Sequence, residues 1–252
     1  MTELSNADLP IWLTGLAALS LLAAAACAVW TAADLVRRPQ QMAVMNAVWP
    51  ITALFGSGLW LWLYRRYGRA AVRGRPAEEG RPAEEGTAAA SDHPHWVSVA
   101  VGTTHCGAGC ALGDLIAEFS VAALPALAVA VGWHQLYEQR MFAAWVWDLV
   151  LAYVLGIVFQ YFAIAPMRDQ PRRRSLLDAL KADTFSILAW QVGMYGAMAI
   201  IQFLIVRPVW GGVLAPTTAV FWLAMQLAML VGFACSYPVN AVLIARGVKE
   251  AM

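Results

Sequence analysis

Six long apolar runs constrain this chain more than any other feature. They lie at 11–36, 43–64, 96–123, 141–165, 184–206 and 218–241. A run of about 20 apolar residues matches the hydrocarbon core of a bilayer, and within that core a helix satisfies its own backbone polar groups. The expected fold is all-α: a polytopic membrane protein of about six transmembrane helices. Composition agrees, with 61% hydrophobic and 13% charged residues, about half the charged share of a soluble domain. A soluble enzyme, a nucleic-acid reader and a secreted disulfide scaffold are all excluded on this basis. The first run is preceded by Thr2-Glu3-Leu4-Ser5-Asn6-Ala7-Asp8, which holds no basic side chain. The run is also too long for a signal-peptide core, so it reads as a retained helix.

Orientation is read from Lys and Arg across the loops. With six crossings, the N-terminus, loops 65–95 and 166–183 and the C-terminus share one side, which then holds 13 of the 17 Lys and Arg residues. The other side holds Arg37, Arg38, Arg140 and Arg207. Both termini are therefore expected in the cytoplasm, with Arg37-Arg38 as the discordant pair. Three sections follow: a two-helix hairpin (1–64), a flexible cytoplasmic linker (65–95) and a four-helix section (96–252). The linker carries the tandem repeat Gly-Arg-Pro-Ala-Glu-Glu, starting at Gly74 and again at Gly80. Such a composition cannot build a core. Trp60, Trp62, Tyr64, Tyr67, Trp133, Tyr137 and Trp210 sit at run ends, as interface anchors do.

The third run stands apart. Cys106, Cys110, Asp114 and Glu118 recur every four residues and form one stripe on a helix face, with His105 beside its upper end. Ionisable groups inside a span are expensive and mark sites by default. His105, Cys106 and Cys110 are soft ligands suited to Cu(I) or Zn. The i,i+4 pair Met225/Met229 offers thioethers, as does Met194/Met198, although methionines in apolar helices commonly serve as core filler. Two ligands on one helix cannot complete a coordination shell, so other helices must contribute. The cysteines also belong to a small-residue face with Gly102, Gly109 and Gly113, which lets another helix or subunit approach closely. A homo-oligomer is compatible with that face.

Asp114 and Glu118 need a proton, a bound cation or water. Asp148, Tyr153, Gln160, Gln191 and Gln226 are the candidates to face them, with Asp148 placed near the outer boundary. No Lys or Arg lies within a run, so a buried salt bridge is not expected. A proton or cation path through Asp114, Glu118, Asp148, Gln160 and Gln226 is the reading of these residues. Cys27 and Cys235 read as core residues. Pro50 predicts a kink in the second run, and 172–183 predicts a short amphipathic helix on the inner leaflet.

Other chemistries are excluded. The two lysines, Lys181 and Lys249, flank the cytoplasmic side, so no retinal Schiff base forms in the bundle. His105 is the lone histidine in a run, so bis-histidine haem has no second ligand. No phosphate loop, nucleophile elbow or His-Glu-x-x-His is present. No nucleotide cofactor and no conventional enzyme activity is expected.

The run His105-Cys106-Gly107-Ala108-Gly109-Cys110-x-Leu112-Gly113-Asp114-x-x-Ala117-Glu118 resembles the signature of a bacterial membrane-protein family, domain of unknown function 4396. Val48-Trp49-Pro50-Ile51-Thr52-Ala53-Leu54, the Gly156–Met167 stretch and Lys181-Ala182-Asp183 are also similar to it. The resemblance implies a multi-pass protein of the bacterial inner membrane and supplies no activity. The leading expectation is therefore a protein that binds or moves a soft transition metal, most plausibly Cu(I). His105, Cys106 and Cys110 would hold the ion, with Met225 and Met229 as partners and the acids as a path. The alternatives are a thiol–disulfide oxidoreductase using Cys106 and Cys110, and a packing scaffold.

Overall fold

The computed structural model describes residues 2–70, 94–164 and 171–249; the tandem repeat and most of the expected linker lie outside the described residues. The helices are α1 (Ile11–Arg37), α2 (Met45–Leu63), α3 (His95–Ala123), α4 (Pro125–Ala130), α5 (Arg140–Ile164), α6 (Arg172–Ala199), α7 (Arg207–Trp210) and α8 (Ala219–Ala245). Wider π-helical turns extend α2 over Tyr64–Gly68 and join α6 to α7 over Ile200–Val206. Among the described residues, six helical segments are long and apolar enough to cross a membrane, as the sequence predicts. The stretch from Arg172 is the start of one long helix, not a separate surface helix, and Ser175, Ala179 and Asp183 on it are buried.

The second segment does not run straight. Its backbone breaks at Ser57 (φ 46°, ψ −126°), between Gly56 and Gly58. Trp49 and Tyr64 then lie with ring centroids 5.4 Å apart, although fifteen residues of straight helix would separate them by about 22 Å. Gln40 donates to the Gly68 carbonyl (2.9 Å) and Arg38 to that of Ala70 (3.1 Å). Tyr64 donates to Asp34 near the end of α1 (2.9 Å). Both ends of the segment therefore sit at the face where α1 ends. The reversal falls at Ser57 and not at Pro50, because the small residues on either side of it let the halves close. The result is a helical hairpin whose tip is held from α8, where Gln226 donates to the Leu54 carbonyl (2.8 Å).

With one segment doubling back, five helices (α1, α3, α5, α6 and α8) run from face to face, and the termini fall on opposite faces. The N-terminal strand β1 (Glu3–Leu4) pairs in parallel with β2 (Val213–Leu214), just after α7. Glu3 also meets Arg140 at the start of α5 (2.9 Å). At the other end of the bundle, Lys249 pairs with Asp183 near the start of α6 (2.5 Å). The two described ends of the chain thus lie at opposite ends of the bundle, because the second segment doubles back. Among the described residues, Arg140 and Arg207 are the only Lys or Arg at the face of the N-terminal strand. Arg37 and Arg38 now lie with the other basic residues, and their discordance disappears.

α3 occupies the middle of the bundle and is buried along most of its length. It packs most extensively against α5, and the reason lies in four small residues. A Cβ at Gly109 would fall 2.6 Å from the Gly156 backbone, and one at Gly113 would fall 2.7 Å from that of Ala152. The small-residue face therefore brings α5 onto α3, antiparallel and in fixed register, and forms the floor of the candidate site. A second close seam joins α6 to α8 at Gly193 and Gly232. Apolar side chains such as Leu19, Leu22, Val154, Val192 and Leu204 remain exposed around the outside, as a lipid-facing surface requires.

Candidate functional site

The α3 stripe is closed off from the surroundings on its whole length. His105, Cys106 and Cys110 are fully buried, and Asp114 and Glu118 are 2% and 4% exposed. From His105 to Glu118 the stripe rises about 20 Å, two-thirds of a ~30 Å hydrocarbon core.

Its centre is a pair of carboxyls from different helices. Asp114 of α3 and Asp148 of α5 lie within hydrogen-bonding reach of one another. Asp148 is 1% exposed, so its expected place at a wet boundary is corrected: the α3–α5 register carries it inside. From α6, the Tyr195 hydroxyl lies 2.7 Å from Asp148 Oδ2 and 2.9 Å from the Trp145 carbonyl. Gln191, one turn earlier, approaches the same oxygen at 3.5 Å. Asp114 Oδ2 and Asp148 Oδ1 accept no hydrogen bond, and no described Lys or Arg is paired with either residue. Two carboxylates in contact and out of water repel strongly, so the pair is stable only with a proton or a cation between its oxygens. Tyr195 was not anticipated, although its i,i+4 relation to Gln191 was a readable signal.

Glu118 lies one turn beyond Asp114, toward the N-terminal strand. It makes no hydrogen bond or ion pair with the described residues and lines a cavity of about 260 Å³ at that face, beside Arg140, Trp133 and Glu138. The remaining expected path residues are elsewhere. Gln226 accepts from Ser20 of α1 (2.7 Å) and donates to Leu54, so it fastens α1 and the hairpin to α8. Tyr153 is engaged with Thr184 (3.0 Å). Gln160 is buried with its Oε1 unpartnered. In the antiparallel register set by Gly109–Gly156 and Gly113–Ala152 it stands level with His105, about 18 Å along α5 from Asp148.

The Cys106 and Cys110 thiols lie one helical turn apart and fully buried, and both ring nitrogens of His105 lack partners. Among the described residues no three His, Cys, Asp or Glu side chains converge as a metal site would require. Met225 and Met229 line a separate cavity of about 190 Å³ with Ala111, Leu115, Phe55 and Trp222, while Met194 and Met198 lie in the apolar core. Cys235 is exposed and Cys27 half-buried, so neither is the core residue expected.

At the opposite end of α3 a buried salt bridge forms between two residues that lie just outside the apolar runs. Gly247 adopts φ 65° and turns the chain after α8, with Val248 and Lys249 N–H groups returning to the Leu243 carbonyl. This is a Schellman cap. It drives Lys249 back into the bundle, where its ammonium meets Asp183 with both side chains fully buried. Breaking a buried pair leaves an uncompensated charge, so Lys249→Met is expected to destabilise the protein by about 3–5 kcal/mol. Asp183→Leu/Lys249→Met should recover most of that loss. Unfolding in detergent measures both, and a single variant as stable as wild type would remove the pair from the account.

A comparison with protein families bears on the same helices: the model of a domain of unknown function, DUF4396, matches residues 95–249. The chain belongs to this family. The DUF4396 match begins with α3 and runs to Lys249, so it takes in the carboxyl pair, Tyr195 and the Asp183–Lys249 pair. It leaves out α1 and the α2 hairpin. No curated protein and no solved structure matches the chain.

Proposed function

We propose that this DUF4396 protein is a proton-coupled membrane carrier whose proton site is the Asp114–Asp148 pair. The observation that carries the reading is the meeting of these carboxyls in the interior without a paired cation. Glu118 connects the pair to the cavity at the N-terminal face. Tyr195 and Gln191 orient Asp148 and offer hydrogen bonds to its ionised form, which lowers the cost of releasing the proton. On the other side of the pair, Cys110, Cys106, His105 and the Asp183–Lys249 pair continue a line of buried polar groups toward the basic face. The positive-inside rule puts the basic face in the cytoplasm. The cavity then opens outward, and the protein resides in the cytoplasmic membrane of a bacterium. The soft-metal reading has weaker support, because Cys106 and Cys110 have no third donor beside them among the described His, Cys, Asp and Glu residues.

Reconstitution tests the proposal. Vesicles containing the protein and a pH-sensitive dye are expected to take up protons when a membrane potential is imposed. Glu118→Gln should slow uptake and Cys106→Ser/Cys110→Ser should leave it intact. Uptake no faster than in empty vesicles would refute the reading. Uptake that needs the two thiols and Cu(I) would favour the soft-metal alternative.

A further inference from the structure

The cavity above Glu118 has features that a proton route alone does not need. Its volume, about 260 Å³, lies just below the range of about 300–1,000 Å³ typical of small-molecule pockets. Its lining divides by chemistry. Glu3 and Arg140 satisfy each other at the rim, with contacts of 2.9 and 3.1 Å. Glu118 at the base is 4% exposed and has no hydrogen bond or ion pair with the described residues. Glu138 is exposed at the edge and adds a second carboxylate. The wall carries aromatic surface: Trp133, backed by His134 with ring centroids 4.1 Å apart, together with Phe203 and Phe221.

A buried carboxylate without a partner, facing a small chamber walled by aromatic rings, is the arrangement that holds an alkylammonium group. The carboxylate neutralises the charge and the ring faces attract it. We infer that this cavity is the binding site for the carrier's substrate, and that the substrate is a small organic cation of the amine or quaternary ammonium class. Arg140 is ion-paired with Glu3, which offsets much of its charge, and Glu118 and Glu138 leave the lining with an excess of carboxylates. The chamber is too small for a lipid or a nucleotide. One carboxylate cannot hold a proton and a monovalent cation together. Glu118 therefore releases its proton toward Asp114–Asp148 when the cation enters and regains one when the cation leaves, so charge balances at each exchange. The exchange rests on the proton-carrier reading above, whereas the binding site stands on the cavity alone.

Calorimetric titration of the purified, detergent-solubilised protein tests the site, with choline as probe and its neutral isostere 3,3-dimethylbutanol as control. Choline is expected to bind saturably and the isostere at least about tenfold more weakly, as loss of a buried charge partner predicts. Glu118→Gln should weaken choline by a similar factor. Trp133→Leu, a surface-side change that tests the site without altering the carboxylate, should weaken it about threefold or more. Arg207→Gln, at the same face but outside the cavity, should bind as wild type does. Equal binding of choline and the isostere, or no saturable binding, overturns the proposal. Choline binding that is unaffected by Glu118→Gln counts against Glu118 as the cation's partner. The two readings separate through Asp114→Asn. If that variant still moves protons while choline binds at Glu118, the proton site is wrong and the cation site survives; the reverse pattern discards the cation site alone.

Discussion

Asn in place of Asp114 is expected to abolish proton uptake in reconstituted vesicles while leaving the protein folded. An amide keeps the shape of the carboxyl and donates a hydrogen bond to Asp148, so packing between α3 and α5 is retained. What it removes is the exchangeable proton. A group that transfers protons in the rate-limiting step contributes about 10²–10⁴-fold, and a loss of that order is indistinguishable from background in a dye assay. Asp148→Asn should be equally inactive, because Asp148 contributes the other half of the same site. Its folding penalty should be larger, since Tyr195 and Gln191 both address Asp148 Oδ2. Tyr195→Phe removes one of these hydrogen bonds and is expected to slow uptake without stopping it. Full uptake in Asp114→Asn would separate the pair from any proton route.

The second large effect is all-or-none. A tag at the N-terminus is expected to be reached by antibody added outside intact spheroplasts, and a C-terminal tag only after permeabilisation. The reason is the hairpin. A straight second helix would give six crossings and place both tags inside. With the break at Ser57 and the approach of Trp49 to Tyr64, the second segment returns to its starting face, and five crossings are the expected result. The charges agree: the segment before α1 holds Glu3 and Asp8 and no basic residue. The Ser5 backbone N–H, helped by its hydroxyl, holds the Asp8 carboxyl below the usual carboxylate range, so that segment stays anionic. Protection of both tags until permeabilisation would restore the straight helix.

Much of this architecture is legible in the sequence. Helix number and extent follow from apolar length, and the α3 stripe follows from i,i+4 spacing. That the stripe would be buried, and that Gly109 and Gly113 would admit a close neighbour, follow from the cost of exposed polar groups in lipid. Three features are not legible, each for a physical reason. A hairpin and a crossing helix have the same apolar length, and only the tertiary approach of Trp49 to Gly68 separates them. Asp148 reads as a boundary residue because its depth depends on the α3–α5 register, which the Gly109–Gly156 contact sets. Lys249 reads as a cytoplasmic flank because it follows the last apolar run, and the Gly247 turn that sends it inward acts only once Asp183 is there to receive it. The surroundings of the methionines are not legible for a related reason. Met225 and Met229 share the pattern of a ligand pair, but periodicity does not say which neighbour a helix face meets.

Infrared spectroscopy of the protein in bilayers tests the central claim most directly. The account predicts the carbonyl stretch of a protonated, buried carboxylic acid at neutral pH. The component due to the pair should be lost in Asp114→Asn/Asp148→Asn, leaving only the contribution of Glu118, and retained in Cys106→Ser/Cys110→Ser. A spectrum with no protonated carboxyl, or one unchanged when both aspartates are replaced, would mean that the Asp114–Asp148 pair does not hold a proton.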